Sequence, residues 1–420
     1  MTVSVHTLAN GVTVICDPVA GFETLALSVV AGRGARWEDS ARGGWSHLLE
    51  HMVFKGAGAR SALQIVETIE ADGGQINAAT GHERTSFQVR ALAGGLPLAL
   101  EVTGDLVQRP ILDPDDLERE KHVVGQEIAE AADTPDDQVF ELAQAAAFSD
   151  QPLGRPILGT TASIAPATRE TLEAWRAALY GPERLVVSAA GAVDEDELLR
   201  LAEQHFGSAV AAAAPEAPIA VFTGGNAAEV RRLEQAHLVF LLPAPGIHDP
   251  DNYAFRLFAE ILGGGMSSRL FQEARERLGL AYNIDAYAEA YADVGALGIY
   301  AGCEAKDAGK LASVAAQEIR SLATTVTIVE LSRAKAQLKA SLFMARESLA
   351  ARAEQAAAQI LVFGALVPPV EIAAAIDAVT PQDMSRLAAR LLSPGRATVS
   401  ALGPKAAMEA GKRFEAGLFG

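Results

Sequence analysis

The second half of the chain repeats the order of elements found in the first half. The apolar run TLALSVVA at residues 24–31 has its counterpart in AHLVFLL at residues 236–242, and a helical pattern follows each run. Further along, LEREKHVVGQEI aligns with LSRAKAQLKASL when Leu117 is matched to Leu331. A period of about 210 residues is too long for a solenoid and therefore predicts two duplicated domains.

Each half also combines hairpin patterns with helical patterns. Residues 75–92, QINAATGHERTSFQVRAL, alternate in the manner of a hairpin, and an apolar helix pattern follows them. We predict an α+β class with two homologous domains, each an antiparallel-rich sheet with helices packed on one face. The predicted boundaries are residues 1–208 for the first domain, 209–225 for a linker rich in Ala, Pro and Gly, and 226–420 for the second domain.

The charge and hydropathy pattern excludes some partners. The formal net charge is -18 and no Lys/Arg-rich block occurs, so nucleic acid is not expected as a partner. No run of about 18 apolar residues and no signal-like N-terminus is present, so no membrane association is expected. Cys16 and Cys303 lie in apolar runs and do not form a disulfide framework. A cytoplasmic location is the resulting expectation.

The strongest chemical signal is HLLEH at residues 47–51. On a helix this spacing places His47, Glu50 and His51 on one face. Two imidazoles one turn apart can bind one zinc ion, while the carboxylate between them can reach the metal's water. With 8 histidines and 53 acidic residues among 420 positions, about 0.02 accidental matches are expected. The motif alone leaves open an ordinary helix with two surface histidines.

A catalytic zinc site needs three protein ligands and one open position. Glu127, on the predicted helix LEREKHVVGQEIAEA, is the candidate third ligand. Glu120 lies two turns earlier on the same face, where it could orient a ligand from outside the metal's own coordination. Taken singly, each is an ordinary solvated helix carboxylate, so the hypothesis depends on their pairing with the histidine helix.

The duplication provides an internal control on the metal hypothesis. The second copy has Ala254, Leu257 and Phe258 at the positions equivalent to the HLLEH triad, and Ser341 opposite Glu127. The proposed ligands are thus absent from the second copy. We expect one zinc ion per chain.

Five ordered blocks now carry a family resemblance: HLLEHMVFKG, GGQINAATGHERTSF, EREKHVVGQEI, PLGRPILGT and LGGGMSSRLFQEARERLGLAY. They resemble the inverzincin zinc peptidases related to pitrilysin, insulin-degrading enzyme and mitochondrial processing peptidase. The resemblance implies that His47, His51 and Glu127 bind zinc and that Glu50 activates water as general base. It also implies hydrolysis of short or unfolded peptides in a clamshell chamber.

The resemblance extends to the substrate. It implies that Arg275 and Tyr282, in ARERLGLAY, hold the peptide, with Tyr282 donating to the oxyanion and Arg275 to a carbonyl. Without the family, these two residues are an ordinary helix charge and a strand residue. The family also binds substrate as an added strand, and the edge expected here comprises Asn77, Ala78, Ala79 and Thr80.

Two hypotheses remain for the role of the chain, an active peptidase or a non-catalytic subunit. One chain carries both the zinc residues and the Arg/Tyr pair, so a homodimer that binds peptides is the simplest expectation. The alternative is a non-catalytic structural or substrate-holding subunit of a peptidase-like complex. Such subunits of the family lack the zinc residues or the Arg/Tyr pair, whereas this sequence has both.

Overall fold

The computed structural model describes residues 3–420. These residues form two compact units, neither of which is continuous along the chain. The first unit contains the residues up to Ala129, together with Pro156–Pro218 and Phe343–Val367. The second unit contains Glu130–Arg155, Ile219–Leu342 and Pro368–Gly420. Each unit is built on its own sheet.

The sheet of the first unit has six strands in the order β1-β2-β8-β3-β7-β6. A separate two-residue pair, β4 and β5, completes the strands of this unit. The bounds are β1 Ser4–Thr7, β2 Thr13–Pro18, β3 Thr24–Ala31, β4 Gly56–Ala57, β5 Arg60–Ser61, β6 Gln75–Thr80, β7 Thr85–Leu92 and β8 Leu185–Gly191. The central strands β3 and β8 are buried on both faces, which fits their runs of Val, Leu and Ala.

The sheet of the second unit has five strands in the order β11-β12-β10-β13-β9. Their bounds are β9 Gly225–Val230, β10 Ala236–Ala244, β11 Ala281–Ala290, β12 Gly295–Cys303 and β13 Thr398–Gly403. In both sheets one neighbouring pair is parallel, β2 with β8 and β9 with β13, and the other pairs are antiparallel. The shared strand order and the shared parallel pair confirm the predicted duplication.

The bounds of the helices are α1 Trp45–Val53, α2 Ala62–Ala71, α3 Leu96–Gln108, α4 Pro114–Asp133, α5 Pro135–Ala147, α6 Thr161–Ile164, α7 Arg169–Leu179, α8 Glu195–Phe206, α9 Asn252–Gly263, α10 Ala308–Thr325, α11 Ile328–Ala345, α12 Leu349–Phe363, α13 Pro369–Ala378, α14 Pro381–Leu392 and α15 Ala410–Phe419. The helices predicted at HLLEH, after residue 92 and at LEREKHVVGQEIAEA are present as α1, α3 and α4. A π-helical segment spans Phe271–Arg277. The predicted α+β class is confirmed.

The main core of each unit lies between one face of its sheet and the helices. In the first unit, Leu27, Val29 and Phe87 of the sheet pack in one apolar cluster with Leu48 and Leu100 of the helices. Each of these side chains is almost completely removed from water, which contributes about 1.5–3 kcal/mol per side chain. The sheet therefore holds α1 and α3 in fixed positions.

The opposite face of each sheet is covered by one further helix. In the first unit, Ala357 of α12 packs against Ile15, Val30 and Val186 of the sheet. In the second unit, Val139 of α5 belongs to an apolar cluster with β10, β12 and β13 residues. Ion pairing reinforces the first contact, because Arg352 of α12 donates two 2.7 Å hydrogen bonds to Asp17.

These two helices explain why the units are discontinuous. Helix α5 comes from the first half of the sequence but belongs to the second unit, and α12 comes from the second half but belongs to the first unit. The contiguous domains 1–208 and 226–420 therefore stay a prediction about the sequence repeat. Between residues 3 and 420, no helix combines the length and apolar character needed to cross a lipid bilayer.

Candidate metal centre

Helix α1 begins at a turn that its sequence dictates. Gly44 has φ +85°, and a side chain there would come within 2.4 Å of the carbonyl oxygen of Leu158, so glycine is required. The buried Glu38 carboxylate accepts hydrogen bonds from the backbone N–H groups of Gly44 at 2.8 Å and Ser46 at 2.7 Å. An anion at this position also complements the helix dipole. Helix α1 is thereby fixed at its N-terminus.

The two faces of α1 have different environments. Leu48, Leu49 and Met52 are fully buried in the core. His47, Glu50 and His51 lie on the other face and are only partly buried. Helical periodicity explains this separation, because residues three and four apart share a face. The core contacts orient α1 so that its three polar groups lie outside the core.

Helix α4 supplies the carboxylates. Its buried residues Leu117, Glu120 and Val124 recur at spacings of three and four, and Glu127 continues the same series. Glu120 is 5% exposed, whereas Glu127 has an intermediate exposure. The series places both carboxylates towards α1.

The structure brings His47, His51 and Glu127 together. Glu127 Oε2 lies 3.6 Å from His51 Nε2 and 3.9 Å from His47 Nε2. The three donor atoms lie within 4.8 Å of one another. Among residues 3–420, this is the one group of three or more His, Cys, Asp or Glu side chains with such spacing. The second unit contributes none.

The spacing and burial of these atoms fit a divalent cation. Ligands at about 2.0–2.2 Å from a tetrahedral ion lie about 3.3–3.6 Å apart, close to the 3.6 Å and 3.9 Å that separate Glu127 Oε2 from the two Nε2 atoms. Glu127 Oε2 is buried and has no hydrogen-bond partner within the described part of the chain. A buried anionic oxygen without a partner is costly, and a cation between the three side chains would satisfy it. Two imidazoles and a carboxylate are also a zinc-binding donor set.

Glu120 fixes the ring of His51. Its Oε2 atom lies 3.0 Å from His51 Nδ1, and its Oε1 atom accepts from Lys55 Nζ at 2.7 Å. A proton on Nδ1 leaves the lone pair of Nε2 directed towards Glu127. Lys55 neutralises the buried carboxylate, because an unpaired charge there would be costly.

Glu50 lies on the same helix face and is held by the sheet. Thr80 Oγ1 donates a 2.5 Å hydrogen bond to Glu50 Oε2. Burial raises the pKa of Glu50, against the opposing effect of the Thr80 hydrogen bond. A carboxylate with a raised pKa is better suited to accept and return a proton near neutral pH.

His47 is kept neutral by its surroundings. Burial, with a smaller contribution from the nearby His51, lowers the pKa of His47 to about 4. The two rings are close, with centroids 4.7 Å apart. A neutral imidazole is the form that donates a lone pair to a metal.

A cleft of about 650 Å3 opens beside these residues. Its walls include Glu50, His51 and Glu120 from the candidate centre. They also include Asn77 and Ala78 of β6, the terminal strand of the six-stranded sheet. The predicted edge residues 77–80 therefore lie on an edge strand, and their role in binding a substrate stays a prediction.

Arg275 and Tyr282 lie in the second unit and contact each other. The guanidinium carbon of Arg275 lies 5.2 Å from the centroid of the Tyr282 ring and 4.5 Å from that of Phe271. Tyr282 is 79% exposed. It falls at an irregularity in the β11–β12 register, where Ala281 pairs with Cys303 and Asn283 with Gly302. Such a bulge redirects a side chain.

Two contacts near the centre were not expected from the sequence. The contact between Lys55 and Glu120 was not predicted. Lys55 lies one turn after His51 of α1, and Glu120 lies two turns before Glu127 on α4. Thr80 was expected only as an edge residue, whereas its hydroxyl binds Glu50. The one available signal was the position of Lys55, since helical spacing places it on the face of His51.

Within residues 3–420, the structure combines a duplicated α+β fold with a single His–His–Glu group, which lies in the first unit. Two family models match in tandem: residues 13–161 match the model described as Insulinase (Peptidase family M16), and residues 166–338 match the Peptidase M16 inactive domain. The chain belongs to peptidase family M16. The word inactive in the description of the family model for residues 166–338 agrees with the second unit, which has no His–His–Glu group among its described residues.

Curated relatives cover nearly the whole chain. An uncharacterized zinc protease of Rickettsia bellii is 36% identical over 402 residues, which are 96% of this chain and 97% of the relative. An uncharacterized zinc protease of Bacillus subtilis is 33% identical over 392 residues, 92% of this chain and 95% of the relative. These names connect the family relationship with zinc and with proteolysis.

Solved structures support the fold. A protease from Helicobacter pylori has a TM-score of 0.88 at 20% identity and covers 96% of this chain and 99% of its own. A chain of Complex III2 from Candida albicans, with Inz-5 bound, has a TM-score of 0.85 at 21% identity and covers 99% and 100%. At these identities the likeness concerns the fold alone.

Proposed function

We propose that this chain is a zinc metallopeptidase that hydrolyses short or unfolded peptides. The observation that carries the proposal is the convergence of His47, His51 and Glu127 beside a cleft that also contains Glu50. The names of the curated relatives support the same reaction class.

The candidate ligands have distinct tasks. His47 and His51, through Nε2, and Glu127, through Oε2, would hold the zinc ion, while Glu120 keeps the His51 ring in place through Nδ1. A bound zinc ion would lower the pKa of a water molecule and polarise the scissile carbonyl.

Glu50 is the proposed general base. It removes a proton from the attacking water and passes that proton to the leaving amine, so it ends the cycle in its starting state. Thr80 holds Oε2, so we assign the proton transfer to Oε1. The raised pKa of Glu50, caused by burial, helps the first of these transfers, because it makes the carboxylate a stronger base.

The substrate would bind as an added strand along Asn77, Ala78, Ala79 and Thr80 of β6. Backbone hydrogen bonds at a sheet edge give affinity with little dependence on sequence. Arg275 and Tyr282 would hold the peptide near the scissile bond, Tyr282 as donor to the developing oxyanion.

A homodimer is the proposed assembly, with the zinc centre of one protomer facing the Arg/Tyr pair of its partner. Light scattering would test this, and a monomeric mass at working concentration would contradict it. A cytoplasmic location and the lack of nucleic-acid or membrane partners stay predictions.

A non-catalytic subunit is the alternative, favoured by the name of the model that matches residues 166–338. The Candida structure adds that the same fold occurs in a chain of Complex III2. Against it stands the complete His–His–Glu group with Glu50 in the first unit.

The deciding experiment measures zinc content and cleavage of a mixture of unstructured peptides, with and without chelator. Wild-type protein should cleave the peptides and lose activity with the metal. Glu50→Gln should lower kcat/KM by about 10²- to 10⁴-fold and retain one zinc per chain. The control is Glu118→Gln on the exposed side of α4, which should change neither. Loss of zinc in Glu50→Gln would show that the roles are wrongly assigned, and inactivity of zinc-loaded wild-type protein would favour the alternative.

A further inference from the structure

The cleft beside the candidate centre has two faces of different chemistry, because side chains alternate along β6. Ile76 and Ala78 are half-buried and pack against the helix-side core. Gln75 and Asn77 point to the opposite face of the sheet and are exposed. Residues of a peptide strand paired with β6 would alternate between the same two faces.

The helix-side wall contains an apolar patch beside its charged residues. Phe54 at the end of α1 and Val66 and Ile69 of α2 line it. Val66 is 38% exposed, whereas Ile65 and Ile69 of the same helix are buried. An apolar side chain of a bound peptide would cover this exposed surface.

The opposite wall is polar and ends in a cation. Gln88 and Arg90 of β7 line the cleft and pair with Asn77 and Gln75 in the sheet register. Arg90 is exposed, and within residues 3–420 its guanidinium has no ion pair or hydrogen bond. By contrast, the other cation of the cleft, Lys55, is paired with the buried Glu120.

We propose that the cleft selects extended peptide segments in which an apolar side chain packs between α1 and α2 while a carboxylate on the opposite face binds Arg90. A guanidinium group binds carboxylates through two parallel N–H donors, so it discriminates them from amides. This inference rests on the proposed function, since it names the substrate class for the same cleft.

The register of β6 gives the position of this selection. Thr80 contacts Glu50, and Gln75 is paired with Arg90 at the other end of the strand. Five residues of extended chain span about 17 Å. The carboxylate selected by Arg90 should therefore lie about four to six residues from the scissile bond.

Glu70 limits where an acidic residue can bind. It extends from the last turn of α2, on the helix side of the cleft, and is exposed. A carboxylate directed to that side would meet a like charge, whereas one directed to the opposite side would meet Arg90. The preference should therefore depend on the charge of the side chain and also on whether its position is odd or even along the peptide strand, because this decides which face the side chain occupies.

The test uses unstructured peptides with one Glu moved stepwise through a background of Gln and apolar residues. Wild-type protein should cleave peptides with Glu about four to six residues from the scissile bond, at positions whose side chains face Arg90, roughly three- to tenfold faster than the Gln parent. Glu at the intervening positions should give no such gain. Arg90→Gln should remove this preference while leaving kcat/KM for the Gln parent within about twofold. Arg119→Gln, which removes an exposed arginine on α4 outside the cleft, should retain it.

Amidated and free C-termini separate two sources of the carboxylate. A preference that survives amidation belongs to an acidic side chain, and one that disappears belongs to the peptide terminus; both support the assignment to Arg90. An equal effect of Arg90→Gln on acidic and neutral peptides, or no acidic preference in wild-type protein, would overturn it.

Binding to the Glu50→Gln variant separates this inference from the proposed function. Fluorescence anisotropy of the same labelled peptides should show tighter binding of the acidic ones, and Arg90→Gln in that background should abolish the difference. Arg90-dependent binding without cleavage in wild-type protein would leave this inference standing and contradict hydrolysis. Cleavage by wild-type protein, without dependence on Arg90 in either assay, would support hydrolysis and overturn this inference.

Discussion

Helices α1 and α9 occupy equivalent places in the two units but present different chemistry at the same positions. His47, Glu50 and His51 of α1 are partly exposed to a cleft. At the equivalent positions of α9, Leu257 and Phe258 are fully buried in the core of the second unit.

The comparison shows what a metal site requires of a duplicated scaffold. The five strands of the second sheet have the same order as five of the six strands of the first sheet, so the backbone alone does not create the centre. In the first unit, one helix face remains outside the core and carries polar groups. In the second unit, the same face contributes apolar area to folding. One copy is available for chemistry while the other contributes stability.

The largest expected effect is a difference in folding stability between equivalent positions. Phe258→Ala should lower the free energy of unfolding by about 3–5 kcal/mol, because it leaves a cavity in the apolar core. His51→Ala, the matched change in the first unit, should cost less than about 1 kcal/mol. Urea unfolding in chelator would measure both without metal stabilisation. Equal losses would show that α1 and α9 have the same structural role.

The metal affinity should show the opposite asymmetry. Glu127→Gln should weaken zinc binding by more than about 100-fold, since it removes a charged ligand and not merely a supporting group. The matched control in the second half is Ser341→Ala, which should leave the affinity unchanged. Competition with a chromogenic chelator would measure both. Full zinc retention by Glu127→Gln would remove Glu127 from the ligand set.

A smaller effect on zinc affinity is expected for Glu120, which contacts the proposed ligand His51 and is not itself a proposed ligand. Glu120→Gln should weaken zinc binding by about 10- to 100-fold, because His51 loses the acceptor that fixes its tautomer. Lys55→Met should weaken binding less, since Glu120 would keep its contact with His51. The same competition assay applies. A change no larger than that of the exposed Glu118→Gln would show that Glu120 has only a packing role.

The smallest expected effect concerns a carboxylate that the second unit uses for folding. Burial opposes the ionisation of Glu330, but hydrogen bonds from Arg269 and Thr327 outweigh it and lower its pKa from the ordinary 4.5 to about 2. Ionised Glu330 therefore stabilises the fold above pH 4.5, and this contribution is lost as pH falls towards 2. The difference in unfolding free energy between wild type and Glu330→Gln should shrink over that interval. A pH-independent difference would contradict this account.

The sequence predicted the parts of the structure that depend on local pattern. The hairpin 75–92 follows from the alternation of its residues, and helix α3 follows from the apolar pattern after it. The duplication was visible because both copies keep the same order of apolar segments. The candidate ligands were visible because HLLEH has a helical spacing with few chance matches.

Long-range contacts could not be predicted in this way. The parallel pairing of β2 with β8 and the placement of α12 on the first sheet depend on which apolar faces meet after folding. The bond from Thr80 to Glu50 likewise depends on the placement of β6 beside α1. Arg90 appears in the sequence as an ordinary strand charge, and only its position on the cleft distinguishes it.

Anomalous diffraction at the zinc edge, from crystals of the zinc-loaded protein, tests the central claim most directly. The account predicts one peak per chain, bonded to His47, His51 and Glu127, with none in the second unit. A peak that lacks Glu127 as a ligand, or a zinc ion bound elsewhere while these three side chains remain free, would contradict it.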